Sequence, residues 1–150
     1  MPQPQPALIL GSTSRYRREL LQRLRLPFDV VSPDVDETPH PNEAPDALAC
    51  RLALAKARAV ASKHPDAVVI GSDQVADLDG EPLGKPGNHT NAVKQLQRMR
   101  GKTVIFQTAL SVICVATGFE QTDLAAVKVT FRDLTDAEIE SYLKLFTGEI

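Results

Sequence analysis

Apolar positions along the chain follow two spacings, which divide it into predicted strands and helices. Runs of adjacent or alternating apolar residues predict strands at 7–10, 28–31, from 67 toward 80, at 103–114 and at about 119–131. Apolar residues three or four positions apart predict helices over 15–25, 46–63, 90–100 and 136–146. Polar segments predict loops at 32–45 and 81–88. Early strand–helix alternation followed by hairpin-connected strands is typical of an α/β fold with a mixed sheet.

Local signals mark where several of these elements begin and end. Ser14 is predicted to cap the first helix and Asp46 the second. Thr135 and Glu138 have the spacing of a capping box at the start of the last helix. Asp79–Gly80 predicts a tight turn. The second helix is expected to bury one face, which carries Leu48, Leu52, Ala55 and Ala59.

Length, charge and cysteine content exclude several classes of protein. The 150 residues suffice for one domain with a hydrophobic core. A net charge of −2 gives no overall positive field for a nucleic-acid polymer, and no uncharged apolar run is long enough to span a membrane. Cys50 and Cys114 lie far apart in the sequence, so we expect free thiols and a cytoplasmic protein. The histidines lack the spacing of a zinc site.

Three arginines, Arg15, Arg17 and Arg18, lie in the predicted first turn of the first helix. The N-terminus of a helix is partly positive, so each cation there is unfavourable by about 0.3–1 kcal/mol. One interpretation is a solvated helix start. The other is an anion site, because free backbone N–H groups and guanidinium forks together suit a phosphate, whose charge would offset the repulsion.

Charged side chains near predicted strand ends are further candidates. Asp73 follows the apolar run VVIGS, where a carboxylate is costly unless it is paired, bound to metal or catalytic. Asp36 and Glu37 lie in an acidic loop, a pattern that is also typical of a solvated turn. Lys56 and Lys85 could each reach a phosphate, although each alone is more typical of a surface lysine. Oxygen-rich sites of this kind suit Mg²⁺ or Mn²⁺.

Five segments connect these candidates to one family. They are LILGSTSRYRRELLQRL, FDVVSPDVDET, RLALAKARAV, VVIGSDQVADLDG and LGKP, and they extend over nearly the whole chain. In this order they resemble the Maf family of nucleoside triphosphate pyrophosphatases. The form SDQV is similar to the branch that acts on 7-methyl-GTP. In that branch an aromatic residue, usually Trp, precedes the paired arginines; here Tyr16 takes its place, with Arg15 where Pro is usual.

The resemblance implies a fold and an activity. The expected fold is a single Maf-like α/β domain over residues 1–150, similar to ITP pyrophosphatase, with a mixed sheet flanked by helices and a cleft between two lobes. The expected reaction uses Mg²⁺ or Mn²⁺, cuts a modified nucleotide between its α- and β-phosphates and releases pyrophosphate, which removes non-canonical nucleotides. Family members continue further at the C-terminus, so the chain is expected to lack their last segment. Such enzymes are often dimeric, and a homodimer is expected.

The resemblance also implies roles for individual residues. Asp73 matches the residue assigned as proton acceptor. Tyr16, directly before the expected phosphate-binding arginines, and Gln74, next to Asp73, are candidates for selecting the base. The residues expected to bind the substrate phosphates are Ser12, Arg17, Arg18, Lys56 and Lys85. Glu37 and Asp73 also match polar site residues of the family, and our hypothesis is that these two, together with Asp36, hold the metal.

Two functions of other classes stay open at this point. One is a nucleotide-binding regulator without catalysis, which would bind the nucleotide and release no pyrophosphate. The other is a different metal-dependent phosphohydrolase, which would release orthophosphate. The products formed from a nucleotide panel distinguish the three functions.

Overall fold

The computed structural model describes residues 6–145. In this range the strands are β1 (Leu8–Gly11), β2 (Asp29–Val31), β3 (Val68–Leu78), β4 (Glu81–Leu83), β5 (Thr103–Cys114) and β6 (Phe119–Thr130). The helices are α1 (Arg15–Gln22), α2 (Pro45–Ala61), α3 (His89–Met99) and α4 (Asp136–Leu143), with a 3₁₀ turn at Val115–Thr117. Within this range, no helix combines the length and the apolar character that crossing a membrane requires.

The strands form one mixed sheet, as predicted. β1 lies between β2 and β3 and pairs with both in parallel, whereas β5 pairs with β3 and β6 antiparallel. Along its length β3 contributes Val69, Val75 and Leu78 to successive hydrophobic clusters. Near the Leu78 end, Ala92 and Ile139 belong to a further cluster that joins α3 to α4. The long central strand therefore connects a lobe that contains α2 to a lobe that contains α3 and α4.

Two of the three predicted helix caps are confirmed. Ser14 Oγ accepts a hydrogen bond from Arg17 N at 3.3 Å, and Thr135 and Glu138 form the reciprocal bonds of a capping box. The cap predicted at Asp46 is wrong, because α2 begins earlier, at Pro45. The fixed φ of proline and its missing N–H suit the first position of a helix, so Pro45 determines where α2 starts.

The predicted buried face of α2 is wrong in its second half. Leu48 and Leu52 are buried, whereas Ala55 and Ala59 are half-buried. The face against the sheet continues instead through Ala53, Lys56, Ala57 and Val60. The segment LALAKARAVA is small and apolar almost all round, so hydrophobic periodicity alone could not define which side packs.

A short strand, β4, lies in the segment 81–88 that the sequence predicts as a loop. Asp79 and Gly80 form the predicted turn, with positive φ angles of 53° and 85°, the backbone combination of a tight hairpin. Asp77 Oδ1 accepts a hydrogen bond from Gly80 N at 2.8 Å. The chain therefore folds back, and β4 pairs with the end of β3. A strand of three residues is too short to show an alternating pattern.

Helix α2 and strand β3 touch backbone to backbone at Gly71. A Cβ atom added to Gly71 would lie 2.6 Å from Ala57 N and still closer to the Ala53 carbonyl oxygen. The absence of a side chain at this position lets the helix lie directly on the strand. As a result Lys56, between those two alanines in sequence, and Asp73, two residues beyond Gly71, face each other.

The opposite face of the sheet is largely uncovered within residues 6–145. No residue of α1 is buried, and Leu20 and Leu24 are exposed beside Leu110 of β5 and Leu124 of β6. These side chains line an apolar groove of about 550 Å³. The hydrophobic core of the described fold therefore lies mainly on the α2 side of the sheet.

Replacing Gly71 with Ala is expected to destabilise the fold. The added methyl group would displace α2 from β3, and overpacking of this kind costs about 1–3 kcal/mol. Urea unfolding measures the loss. The control is Gly84→Ala, since nothing lies within 4 Å of a Cβ at Gly84. Equal unfolding midpoints for the two variants would contradict the close approach described above.

Candidate active site

A cleft of about 610 Å³ lies between α1, the loop after β2 and two lysines. Lys56 comes from α2 and Lys85 from the loop after β4, so elements that are distant in sequence line one cavity. Ser12 and Arg17 form the wall at the start of α1, and Glu37 projects from the loop. The cleft therefore brings basic groups from three parts of the chain to one space, an arrangement that suits an anion.

The connection from β1 to α1 holds Arg17 in place. Ser12 is buried, and its Oγ accepts hydrogen bonds from Ser14 N at 3.0 Å and from Arg17 Nη1 at 3.5 Å. Burial lowers the pKa of the Arg17 guanidinium, while the negative charges of Asp73 and Glu37 oppose that change. Arg17 is thus directed into the cleft and is partly neutralised by the acids already there.

The Lys56 ammonium lies between two carboxylates. Its Nζ is 2.9 Å from Asp73 Oδ1 and 2.7 Å from Glu37 Oε1. The side chains of Lys56 and Asp73 are each only 11% exposed, whereas that of Glu37 is 56% exposed. The hydrogen bond from Lys56 is the main cause that lowers the pKa of Glu37. A buried charge is stable only when it is paired, so the Lys56 ammonium keeps the carboxylates of Asp73 and Glu37 close to each other.

Asp73 lies behind Lys56 rather than in the wall of the cleft. Among residues 6–145 its side chain is hydrogen-bonded to Lys56 alone, through Oδ1. The second carboxylate oxygen, Oδ2, is therefore available to accept a hydrogen bond from a water or a ligand. A buried carboxylate with one paired and one available oxygen can take up a proton, provided that a water reaches it through the cleft.

Comparison with known proteins identifies the family of the chain. Residues 7–149 match the model of the Maf-like proteins. The chain belongs to the Maf family. It is 72% identical over 137 residues to a protein of Polaromonas sp. and 68% identical over 143 residues to one of Albidiferax ferrireducens. Both relatives are named 7-methyl-GTP pyrophosphatase.

These relatives are longer than the chain. The Polaromonas match covers 91% of this chain and 63% of the relative, and the Albidiferax match covers 95% and 72%. A solved structure of a HAM1 protein from Coxiella burnetii superimposes with a TM-score of 0.57 over 87% of this chain and 75% of that one, at 12% identity. The resemblance to the Maf family is thus confirmed, and the expected α/β architecture recurs in a distant solved structure.

Most of the residues assigned from the resemblance come together in this Maf chain. The predicted residues that line the cleft are Ser12, Tyr16, Arg17, Glu37, Lys56 and Lys85. Asp73 joins them through its contact with Lys56. Tyr16 is 67% exposed and Leu20 is 57% exposed. Packing between these two side chains therefore does not account for the position of Tyr16 at the cleft.

Three of the assigned residues lie elsewhere. Arg18 does not line the cleft but an adjoining hollow, which shares its lining from Ser12 to Arg15 with the cleft. Asp36 accepts a hydrogen bond from Thr38 N at 3.0 Å and does not line the cleft. Hydrogen bonding from the Thr38 side chain, and then from its backbone N–H, lowers the pKa of Asp36. Gln74 follows Asp73 on a strand, so its side chain points to the opposite face, where Nε2 donates to Thr108 Oγ1 at 2.9 Å.

Two carboxylates at the cleft supply part of the ligand set that the expected metal ion requires. No group of three His, Cys, Asp or Glu side chains within residues 6–145 is placed to hold a metal ion by itself. Glu37 and Asp73, however, converge on a single point, the Lys56 ammonium. Mg²⁺ commonly takes one or two carboxylates and completes its shell with substrate phosphates and water. The donor set therefore fits a cation that arrives with a phosphorylated ligand.

Other polar residues at or near the cleft carry no individual role from the sequence, beyond the membership of Arg15 in the arginine cluster. Arg15 lines the cleft beside Arg17. Gln107 is buried on the Asp73 face of the sheet, and its Oε1 has no hydrogen-bond partner in the described part of the chain. Arg51 forms a two-armed ion pair with Glu43 across the loop before α2. Strand pairing places Gln107 on the Asp73 face, and loop closure brings Arg51 to Glu43. No local pattern in the sequence indicates either arrangement.

Arg17 is expected to contribute more to anion binding than its neighbour Arg18. Hydrogen bonds to charged groups contribute about 1.5–3 kcal/mol, so Arg17→Ala should weaken pyrophosphate binding about tenfold or more. Calorimetry without metal measures the affinity, and the rise in Tm with added pyrophosphate gives a second readout. Arg18→Ala is the matched control, because Arg18 lies outside the cleft. Equal losses in both variants would contradict this placement.

Proposed function

We propose that this Maf chain hydrolyses 7-methyl-GTP to 7-methyl-GMP and pyrophosphate. The observation that carries the proposal is the Lys56 ammonium held between Glu37 and Asp73, beside a cleft that Arg17 and Lys85 also line. The substrate is taken from the relatives of that name, which are 68–72% identical to the chain. The chain spans 63–72% of those relatives, and the activity is proposed for it on that basis.

The triphosphate is assigned to the basic wall of the cleft. Arg17 offers a guanidinium fork, and Lys56 and Lys85 offer ammonium groups, to oxygens that carry the negative charge. Ser12 Oγ and the N–H groups of the first turn of α1, apart from that of Arg17, which Ser14 caps, add neutral donors. Arg18 belongs to this set by its match to the family, and its position in the adjoining hollow rather than in the cleft makes its contribution the smaller one.

The reaction requires a water to attack the α-phosphorus. A bond forms between the water oxygen and this phosphorus, and the bond to the oxygen that bridges the α- and β-phosphates breaks, so that pyrophosphate leaves. Asp73 accepts the proton of the attacking water on Oδ2, while Lys56 keeps Oδ1 fixed. Positioning of the triphosphate and neutralisation of its charge supply most of the acceleration.

A divalent cation, Mg²⁺ or Mn²⁺, is the proposed cofactor. Glu37 and Asp73 would hold it together with the phosphate oxygens, and their convergence on Lys56 supports this donor set. When bound, such a cation neutralises phosphate charge and orients the triphosphate. Asp36 remains a proposed outer member of this group, one residue before Glu37.

The proposed setting is the removal of a modified nucleotide from the nucleotide pool. A methylated guanine nucleotide that entered nucleic-acid synthesis would carry its positive charge into the product, and hydrolysis to the monophosphate prevents this. A cytoplasmic protein and a homodimer remain predictions. A small-molecule nucleotide is the proposed partner, and the net charge of −2 supports no nucleic-acid polymer as a ligand.

Product analysis with Asp73→Asn tests the proposed function. The wild-type chain with Mg²⁺ or Mn²⁺ should convert 7-methyl-GTP to the monophosphate and pyrophosphate. Asp73→Asn keeps a hydrogen-bond acceptor for Lys56 but removes the proton acceptor, so kcat should fall at least about 100-fold. Anion-exchange chromatography identifies the products.

The control for this substitution is Asp77→Asn. Asp77 lies on the same strand, and its Oδ1 accepts from Gly80 N in the hairpin turn, away from the cleft. Its kcat should match the wild type. Release of orthophosphate would favour another phosphohydrolase, and binding without product would favour a regulator. Near-normal turnover by Asp73→Asn would contradict the role of Asp73.

Tyr16 is expected to select the methylated base. Methylation at N7 makes guanine cationic, and a cation over an aromatic ring gains about 0.5–2 kcal/mol, or roughly 2- to 30-fold in affinity. Tyr16 is exposed at the cleft, where a base can stack on it. The measurement is kcat/KM for 7-methyl-GTP and GTP. Tyr16→Trp should keep the preference, and Tyr16→Ala should remove most of it. An equal decrease for both substrates in Tyr16→Ala would contradict base selection.

A further inference from the structure

Helix α2 anchors the acidic loop at a second point besides Lys56. Arg51 Nε lies 2.7 Å from Glu43 Oε2, and Arg51 Nη2 donates to Glu43 Oε1 at 2.9 Å and to the Thr38 carbonyl oxygen at 3.1 Å. One planar guanidinium therefore binds two separate parts of the loop at once. A lysine has no such fork and could not reproduce both contacts.

Hydrogen bonds within the loop extend this anchor on both sides of Thr38. Thr38 N donates to Asp36 Oδ1, and His40 N donates to Glu43 Oε1, each at 3.0 Å. The Glu43 side chain is only 10% exposed. The hydrogen bonds from Arg51 lower the pKa of Glu43 to about 2, so Glu43 is ionised and the anchor is intact at neutral pH.

Glu37 lies within this anchored segment, directly before Thr38. Its side chain is 56% exposed, and among the described residues its carboxylate contacts Lys56 alone. Arg51 and Lys56 belong to the same helix and lie about 7.5 Å apart along its axis, at about 1.5 Å per residue. Adjacent loop residues thus contact two fixed points of one rigid element.

We propose that Arg51 is a positioning residue, which presents Glu37 to Lys56 by holding the loop backbone through Thr38 and Glu43. Without this anchor the loop regains conformational freedom, and a largely exposed glutamate gains too little from one ion pair to replace it. The inference rests on the proposed function, because the placement of Glu37 has a chemical consequence only if the cleft hydrolyses a nucleotide.

A nuclear Overhauser measurement tests the placement of Glu37 without substrate or metal. The γ-methylene of Glu37 and the ε-methylene of Lys56 flank the 2.7 Å contact, so a cross-peak between them is expected in the wild type. Arg51→Ala should lose this cross-peak. Arg58→Ala should keep the cross-peak. Arg58 lies on the same helix as Arg51, but it forms an exposed ion pair with Glu120 of β6, away from the loop. A folded Arg51→Ala protein with the cross-peak at wild-type intensity would overturn the proposal.

A second variant decides the matter if Arg51→Ala does not fold. Glu43→Gln keeps the size of the side chain but removes the charge that binds both arms of the guanidinium. We expect the cross-peak between Glu37 and Lys56 to weaken in this variant. Wild-type intensity in Glu43→Gln would contradict the part of the proposal in which Arg51 holds the loop through Glu43.

Steady-state kinetics with 7-methyl-GTP provide an independent readout. Substitution of a residue that orients a metal ligand typically lowers metal affinity or activity by about 10- to 100-fold. Arg51→Ala should therefore raise the Mn²⁺ concentration for half-maximal rate by about tenfold or more, with a smaller change in KM for the nucleotide. In a Glu37→Gln background the same substitution should add nothing further, because both changes act on one interaction.

The kinetic outcomes separate this proposal from the proposed function. Identical Mn²⁺ requirements for Arg51→Ala and Arg58→Ala would show that Arg51 has no positioning role. If the wild-type chain released no pyrophosphate, the proposed function would fail. The cross-peak between Glu37 and Lys56 would still decide whether Arg51 places the glutamate, since that measurement needs no turnover.

Discussion

The site depends on a buried ammonium that must be paired. Lys56 is buried against the sheet, and its Nζ is satisfied by Asp73 from β3 and by Glu37 from the loop before α2. An unpaired ammonium at this depth would be strongly destabilising, so the strand, the helix and the loop must meet in one arrangement. The same pairing leaves an oxygen of Asp73 available and exposes Glu37 to the cleft. A requirement of stability thus places the groups that the proposed chemistry uses.

Helix α2 is the rigid element that contacts the other parts of the site and fixes their positions. Its contact with β3 at Gly71 brings helix and strand close enough for Lys56 to reach Asp73. Its Arg51 holds the acidic loop, and its Lys56 meets the glutamate of that loop. Because the backbone of a helix is fixed by its own hydrogen bonds, these distances are set together rather than separately. Groups positioned in this way lose little freedom when a ligand binds.

The arginines at the start of α1 illustrate how local repulsion is offset by tertiary contacts. Arg17 faces the carboxylates of Asp73 and Glu37 and bonds to Ser12, so its charge is partly balanced within the fold. Arg18 lies on a more exposed side of the helix, where solvent screens it. Arg17 lines the cleft to which we assign the anion, whereas Arg18 lines an adjoining hollow. A ligand phosphate would complete the balance for the residues that line the cleft.

The sequence by itself determined the order of the elements apart from β4 and the 3₁₀ turn, the mixed sheet, the caps at Ser14 and Thr135 and the Asp79–Gly80 turn, because these follow from local periodicity and turn chemistry. The resemblance named six of the residues that line the cleft. Only the tertiary structure decided which face of α2 packs, since a segment of small residues carries little amphipathic signal. It also separated Arg17 from Arg18 and Asp73 from Gln74, and it revealed the contact of Arg51 with Glu43. Those outcomes depend on side-chain direction and loop closure, which bring together residues that no local pattern relates.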